Sequence, residues 1–370
     1  MKSTMQVAPL YIKLSLITMG LLAFFYILYI GAEIIVPLIF AMIISVLLNP
    51  FVNFLLRRKC NRVLAILIAV TTVMLLIALL AYFVFSQAAN LSDSMPELKT
   101  KFSALLHNSI NWVSANFNFS HKEINAWISK TQAEVMKNST AFIGSALSTF
   151  MGLLVLFFLL PVYIFMMLFY KPLLLEFISE LFKSSQQEIV GEVLVETKTL
   201  IQNYLVGLLI EAALVAFLNS VGLLFLGIEY AILIGVIGAL LNFIPYIGGL
   251  VAICIPMIMA IATKTPIDAL WAFLIYLFVQ FIDNNFIVPK IVASKVKINA
   301  LISVVVVLIG GALWGVAGMF LAIPLTAIAK VIFDRIQPLK PFGFLLGDNQ
   351  PEIGHFKIHL PIRKKRNVTS

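Results

Sequence analysis

Apolar residues along this chain come in long runs parted by short polar stretches, and a membrane crossing needs about 20 of them in succession. Runs at 14–32, 34–56 and 63–85 predict three spanning helices, with Glu33 at the tight turn between the first two. Over 86–147 the pattern turns polar, with five Lys against four acids. Leu98, Phe102, Leu105, Leu106, Ile110 and Val113 recur there at helical spacing, which predicts an amphipathic helical insertion. The run at 148–170 predicts a fourth span. After it, 171–203 carries apolar residues at intervals of three and four among Glu176, Glu180, Glu188, Glu192 and Glu196, the pattern of an amphipathic helix or helical pair whose acidic stripe is solvated. The runs at 204–226 and 271–288 predict further crossings.

Two stretches break this regularity. GALLNFIPYIGGLVAICIP, at 238–256, is membrane-grade in hydrophobicity yet interrupted by Asn242, Pro245, Gly248, Gly249 and Pro256. Proline removes a backbone donor and clashes with the preceding turn, and glycine admits conformations that other residues avoid. A second run, 302–324, carries Gly310, Gly311, Gly315 and Gly318 and ends on Pro324. Laid over the first, it sets Trp314 on Tyr246 and Pro324 on Pro256. As one helix, 300–333 would be about 51 Å long at 1.5 Å per residue, against a hydrocarbon core of about 30 Å, so it is expected to bend back at its glycines. Broken backbone at membrane depth survives only where protein or a water-filled cavity satisfies its polar groups. A pair of such segments is the sequence signature of a transporter's binding site. The predicted fold is an all-α polytopic membrane protein of about eight membrane segments, broken or re-entrant hairpins included, with an extracytoplasmic helical insertion.

Composition agrees: 61% hydrophobic residues, 12% charged and a mean hydropathy of +1.04, against about 25% charged in soluble domains. Arg57, Arg58, Lys59 and Arg62 form a short basic block, which the positive-inside rule assigns to the cytoplasm. The N-terminus is then cytoplasmic, the first span is uncleaved, and 86–147 lies outside. A hairpin at 300–333 returns Lys330, Arg335 and Lys340 inside, followed by the basic tail Arg363, Lys364, Lys365 and Arg366. The expected division is a membrane transport domain at 1–335 and a cytoplasmic basic tail at 336–370. Cys60 and Cys254 form no CxxC pattern, and the four histidines have no metal-ligand spacing, so neither a metal nor a cofactor is expected.

The candidate chemistry lies in the last half. Asp283, Asn284 and Asn285 stand together near the end of an apolar run, just before Pro289. An ionisable residue at membrane depth is costly and points to function; a carboxylate with two amides suits a small polar solute, a monovalent cation or a proton. Glu211 lies inside a predicted span with no basic residue nearby in sequence. Asn242 and Tyr246 add polar groups at the first break, while Pro245, Gly248, Gly249, Pro256, Gly310, Gly311 and Pro324 are the expected hinge or helix-break positions.

Three motifs carry a resemblance: LLNFIPYIG at 240–248, QFIDNNFIVPKI at 280–291 and LIGGALWGVAGMFLAIPL at 308–325. With these motifs the chain resembles the autoinducer-2 exporter family of bacterial membrane transporters, although Gly249 stands where that family often has Pro and Asp283 where Glu is common. The resemblance implies a multi-pass protein of the bacterial inner membrane that exports small signalling molecules, some members being linked to sodium or lithium exchange against protons. It also implies homo-oligomers, a pentamer among the orders to be expected.

The leading expectation is therefore a secondary transporter or exporter of a small polar solute, its partners being membrane lipid and that solute. A monovalent cation/proton antiporter is the first alternative, and a non-transporting membrane scaffold the second. A membrane-embedded enzyme has no nucleophile, metal or phosphate motif to rest on, no catalytic residue is assigned, and the basic tail reads as a headgroup contact, not a nucleic-acid site.

Overall fold

The computed structural model describes residues 9–117, 158–244, 247–293 and 298–348. Residues 118–147 of the insertion, Pro245 and Tyr246, and the basic tail at 363–366 lie outside them. Helices α1 (Leu10–Ile30) and α2 (Ala32–Arg57) meet at Gly31, and α3 (Arg62–Phe117) follows a tight turn. Helix α4 (Phe158–Phe169) bends by 61° into α5 (Lys171–Glu180). Next come α6 (Gln187–Phe225), α7 (Ala231–Leu241), α8 (Ile247–Thr263) and α9 (Pro266–Ile282). Helix α9 runs on as a π-helix over Asp283–Ala293, followed by α10 (Ala300–Arg335) and α11 (Lys340–Leu346). The described residues are helical apart from turns and a single bridge between Ile298 and Gly347.

Six of these elements are long and apolar enough to cross a membrane, or seven if the bent pair α4–α5 is one span. The amphipathic 171–203 stretch forms two helices, the second continuous with the crossing that follows it. Helix α3 does not stop where its apolar run ends but continues through 86 to Phe117 as one 56-residue helix, about 84 Å at 1.5 Å per residue.

Helix α6 is the strut of the bundle. It packs against α2, α7, α9, the π-helix and α10, and its buried stripe contains Tyr204, Leu208, Glu211, Val215, Asn219 and Leu223. Gly207 lets the π-helix approach: a Cβ there would stand 2.8 Å from the Ile291 carbonyl oxygen. At its N-terminal end Glu192 and Glu196 both pair with Arg335, so two acids of the expected solvated stripe in fact tie α6 to the end of α10.

Two hairpins enter this bundle from opposite ends. Helices α7 and α8, about 17 and 26 Å long, are too short to cross a core of about 30 Å. Their base lies at the C-terminal end of α6, where Lys264 donates to the Leu226 carbonyl and the Tyr230 hydroxyl to that of Asn90. Gly248 closes the turn, since a Cβ there would collide with the carbonyl group of Leu241. Helix α10 is the second hairpin. Its backbone leaves helical geometry at Trp314 and at Gly315, whose φ of +61° is a conformation that glycine adopts without penalty. Gly310 then faces Gly318 so closely that a Cβ on either would strike the other's carbonyl group. The base of α10 sits by Glu192 on α6, and its tip is held where the Trp314 indole donates to the Leu28 carbonyl at 2.9 Å.

The hinge expectations need correction at four positions. Gly310 and Gly311 lie in helical turns beside the break, not at it, and α8 runs through Pro256 as α10 does through Pro324. Both prolines are buried, and a packed helix tolerates the missing hydrogen bond where neighbours enclose it. Packing also continues beyond 335. Helix α11 packs back on α10, and Asn299 caps α10 through Ile302 N–H while its amide donates to the Leu345 and Gly347 carbonyls. Residues up to Asp348 therefore belong to the folded unit.

Gly310→Leu should lower the thermal stability of the protein in detergent by an amount in the range of overpacking, about 1–3 kcal/mol or more. Gly20→Leu, at a position with nothing within 4 Å, should leave the melting temperature unchanged, and light-scattering-monitored melts of both variants check the pair.

Candidate functional site

The hairpin turn and the π-helix face each other across a cavity of about 780 Å³. Its π-helical wall follows from local sequence. Thr265 and Asp268 form a capping box with Pro266 in the first turn, which fixes the start of α9. From there Tyr276, Gln280 and Asp283 follow at intervals of four and three, one face of a helix, and all three line the cavity. The helix widens to π geometry from Asp283, which gives the ring of Pro289 room that an α-helical turn denies it. Runs of this kind are rare and often mark functional sites.

Asp283 is 2% exposed. Its Oδ2 accepts from the Asn242 amide at 3.3 Å and the Gln280 amide at 3.4 Å, while Oδ1 has no protein donor among the described residues. Asn242 terminates α7, so this hydrogen bond joins the hairpin turn to the π-helix. Glu211, 8% exposed, lines the same cavity from α6, and Asp348 and Ser303 line it as well. Among the described residues the lining contains three carboxylates and neither lysine nor arginine. Such a wall attracts hydrogen-bond donors and cations and repels anions.

The predicted residues divide on this geometry. Asp283, Asn284, Asn242 and Glu211 come together at the cavity, joined by Gly249, where a Cβ would stand 3.0 Å from Gln280 Oε1 and 3.5 Å from Asn242 Oδ1. Asn285 does not join them. It is exposed, its amide donates to the Phe281 carbonyl at 2.8 Å, and it is absent from the lining. Gln280 and Asp283 stand three positions apart on the lining face, and Asn285, two positions beyond Asp283, is rotated away from it. Tyr246 and Pro245 lie outside the described residues. Gln280, Tyr276, Tyr204, Ser303 and Asp348 line the cavity without having been singled out. The four-and-three spacing up to Asp283 was a readable signal for the first two; nothing local marks Ser303 or Asp348, which reach the cavity through the fold of α10 and α11.

The sequence profile described as "AI-2E family transporter" matches residues 17–337. Among similar proteins is the "AI-2 transport protein TqsA" of Escherichia coli (strain K12), 24% identical over 324 residues that cover 87% of this chain and 92% of that protein. "Putative transport protein YhhT" of the same strain is 25% identical over 324 residues, 87% of this chain and 90% of the relative. A Bacillus subtilis (strain 168) protein named "Putative transport protein YueF" is 24% identical over 317 residues, 81% and 83% of the two chains. With a profile match across most of its length and opposed helical hairpins around an acidic cavity, the chain belongs to the AI-2E family of membrane transporters.

Proposed function

We propose that the cavity between the α7–α8 turn and the π-helix is the solute site of a secondary transporter that exports a small polar solute rich in hydrogen-bond donors. The observation that carries this reading is Asp283, a buried carboxylate in the cavity wall with one oxygen held by Asn242 and Gln280 and the other buried without a donor among the described residues. An unsatisfied buried acceptor costs about 1–3 kcal/mol, more for a charged one. A donor-bearing solute would recover that cost on binding. Asn284, Glu211 and Tyr276 offer it further polar partners, and Gly249 keeps the wall open beside Gln280.

A solute of the signalling-molecule type suits a cavity of about 780 Å³, within the range of about 300–1,000 Å³ common to small-molecule sites. Relatives named for transport favour this over a scaffold that moves nothing. The protein would sit in the bacterial inner membrane with both termini in the cytoplasm. Residues 57–62 then face the cytoplasm and 86–147 the outside, so the two hairpins enter from opposite faces and meet at the site, the arrangement through which alternating access operates.

In proteoliposomes loaded with autoinducer-2, Asp283→Asn should reduce efflux by about tenfold or more, the scale of one lost charged hydrogen bond, while its elution volume and melting temperature stay near those of the unaltered protein. Normal efflux by this variant would remove Asp283 from the site. Gly249→Leu should abolish efflux by filling the gap between Gln280 and Asn242, with less effect on membrane insertion; equal efflux would show that solute passes elsewhere. Orientation is checked in a Cys60→Ser/Cys254→Ser background: a cysteine at Ala89 should react with an impermeant maleimide in intact cells, and one at Lys59 only after lysis.

A further inference from the structure

A second cavity, of about 260 Å³, shares no lining residue with the solute site and is lined by Asn49, Asn53, Phe54, Arg57 and Lys198 among others. Its walls are the C-terminal turns of α2 and the N-terminal part of α6. Lys171, the first residue of α5, adds a third cation: its ammonium donates to Asn49 Oδ1 at 2.8 Å, and Asn49 is 6% exposed. That bond anchors a lysine beside the cavity and leaves the Asn49 amide N–H groups as donors.

Charge here is unbalanced. Among the described residues neither Arg57, Lys171 nor Lys198 has a carboxylate within 4.0 Å, and Glu176 and Glu180 of the adjoining α5 pair with none of them. Burial, followed by the positive charges of Lys198 and Arg62, holds the Lys171 ammonium below the ordinary lysine range. Like charges kept this close favour an anion between them.

The surroundings indicate what kind of anion. The cavity lies where apolar runs end: α2 gives way to Arg57, and α4 to Tyr170 and Lys171. Tyr170 is 47% exposed, as an interfacial aromatic would be. Helix α5 buries none of its residues and exposes Leu173, Leu174 and Phe177, with Phe54 exposed at the cavity itself. A headgroup phosphate would meet the cations while its acyl chains lie along this apolar surface. Basic pockets between membrane helices on the cytoplasmic side bind anionic lipid headgroups.

We propose that the cavity between α2 and the N-terminal part of α6 is a binding site for the phosphate headgroup of an anionic phospholipid, held by Arg57 and Lys198 and flanked by the Asn49-anchored Lys171. The site is separate from the solute cavity, so neither proposal depends on the other.

The full-length protein is delipidated in neutral detergent and titrated with phosphatidylglycerol or phosphatidylcholine, bound lipid being counted by native mass spectrometry. Retention of phosphatidylglycerol at least about fivefold above phosphatidylcholine is expected, the factor that one well-placed basic residue supplies. Arg57→Gln/Lys198→Gln should bring the two lipids level, and Lys59→Gln, a cation outside the cavity, should leave the preference intact. If the double variant is not monodisperse, Lys198→Gln alone decides, at an exposed position, by a fall in preference or its absence. No lipid preference in the unaltered protein, an undiminished preference after Lys198→Gln, or an equal loss in Lys59→Gln overturns the site. So does displacement of phosphatidylglycerol by millimolar inorganic phosphate, which would make the occupant a free anion.

Discussion

A carboxylate buried among apolar helices must find hydrogen-bond donors, and the position of Asp283 makes that requirement structural. Its first donor, Asn242, is the residue at which α7 ends. The turn between α7 and α8 is thus held against the π-helix by the same bond that partly satisfies the charge. The second donor, Gln280, comes from the turn of α9 that leads into the π-helix. Because Asn242 and Gln280 both bond Oδ2, the other oxygen is left buried without a donor among the described residues.

Placing Asn242 there depends in turn on how closely short helices can pack. Within lipid a broken helix keeps its free carbonyl and N–H groups only if protein covers them. Gly248 against Leu241, Gly310 against Gly318, and Gly207 against Ile291 are contacts in which backbone meets backbone, and a side chain at any of them would push the elements apart. The hairpins are also coupled through their aromatic residues: Phe243 at the α7–α8 turn meets Phe320 on the second arm of α10 edge to face at 6.0 Å. Phe320 stacks at 5.6 Å on Phe40 of α2. Movement of one hairpin would therefore be felt by the other and by the outer bundle.

Polar residues at the two ends serve different purposes. Arg335 bridges Glu192 and Glu196 on half-exposed side chains, where an ion pair contributes about 0–1 kcal/mol, so its value lies in fixing the base of α10 relative to α6. At the other end Lys264 and Tyr230 bond backbone carbonyls. Among the described residues neither end carries a buried charge like Asp283. The costly polar group is kept at the meeting point of the hairpins, where a solute could offset the cost.

Much of this was legible in the sequence, because hydrophobic length and the chemistry of glycine and proline act locally. The apolar runs predicted α1, α2, the start of α3 and α6, and the breakers at 238–256 and 302–324 predicted two interrupted segments. Asp283, Asn242 and Glu211 stood out as polar residues in apolar surroundings. What composition could not distinguish was which breaker breaks: Gly315 does, whereas Pro256 and Pro324 stay inside helices because packing encloses them. Nor could it separate Asn284 from Asn285, since the rotation of a π-helix is not written in neighbouring residue types. That Glu211, Asn242 and Asp283, far apart in sequence, line one cavity was decided by α6 packing against both hairpin and π-helix. Local rules set where a chain can bend; only long-range packing sets what the bends bring together.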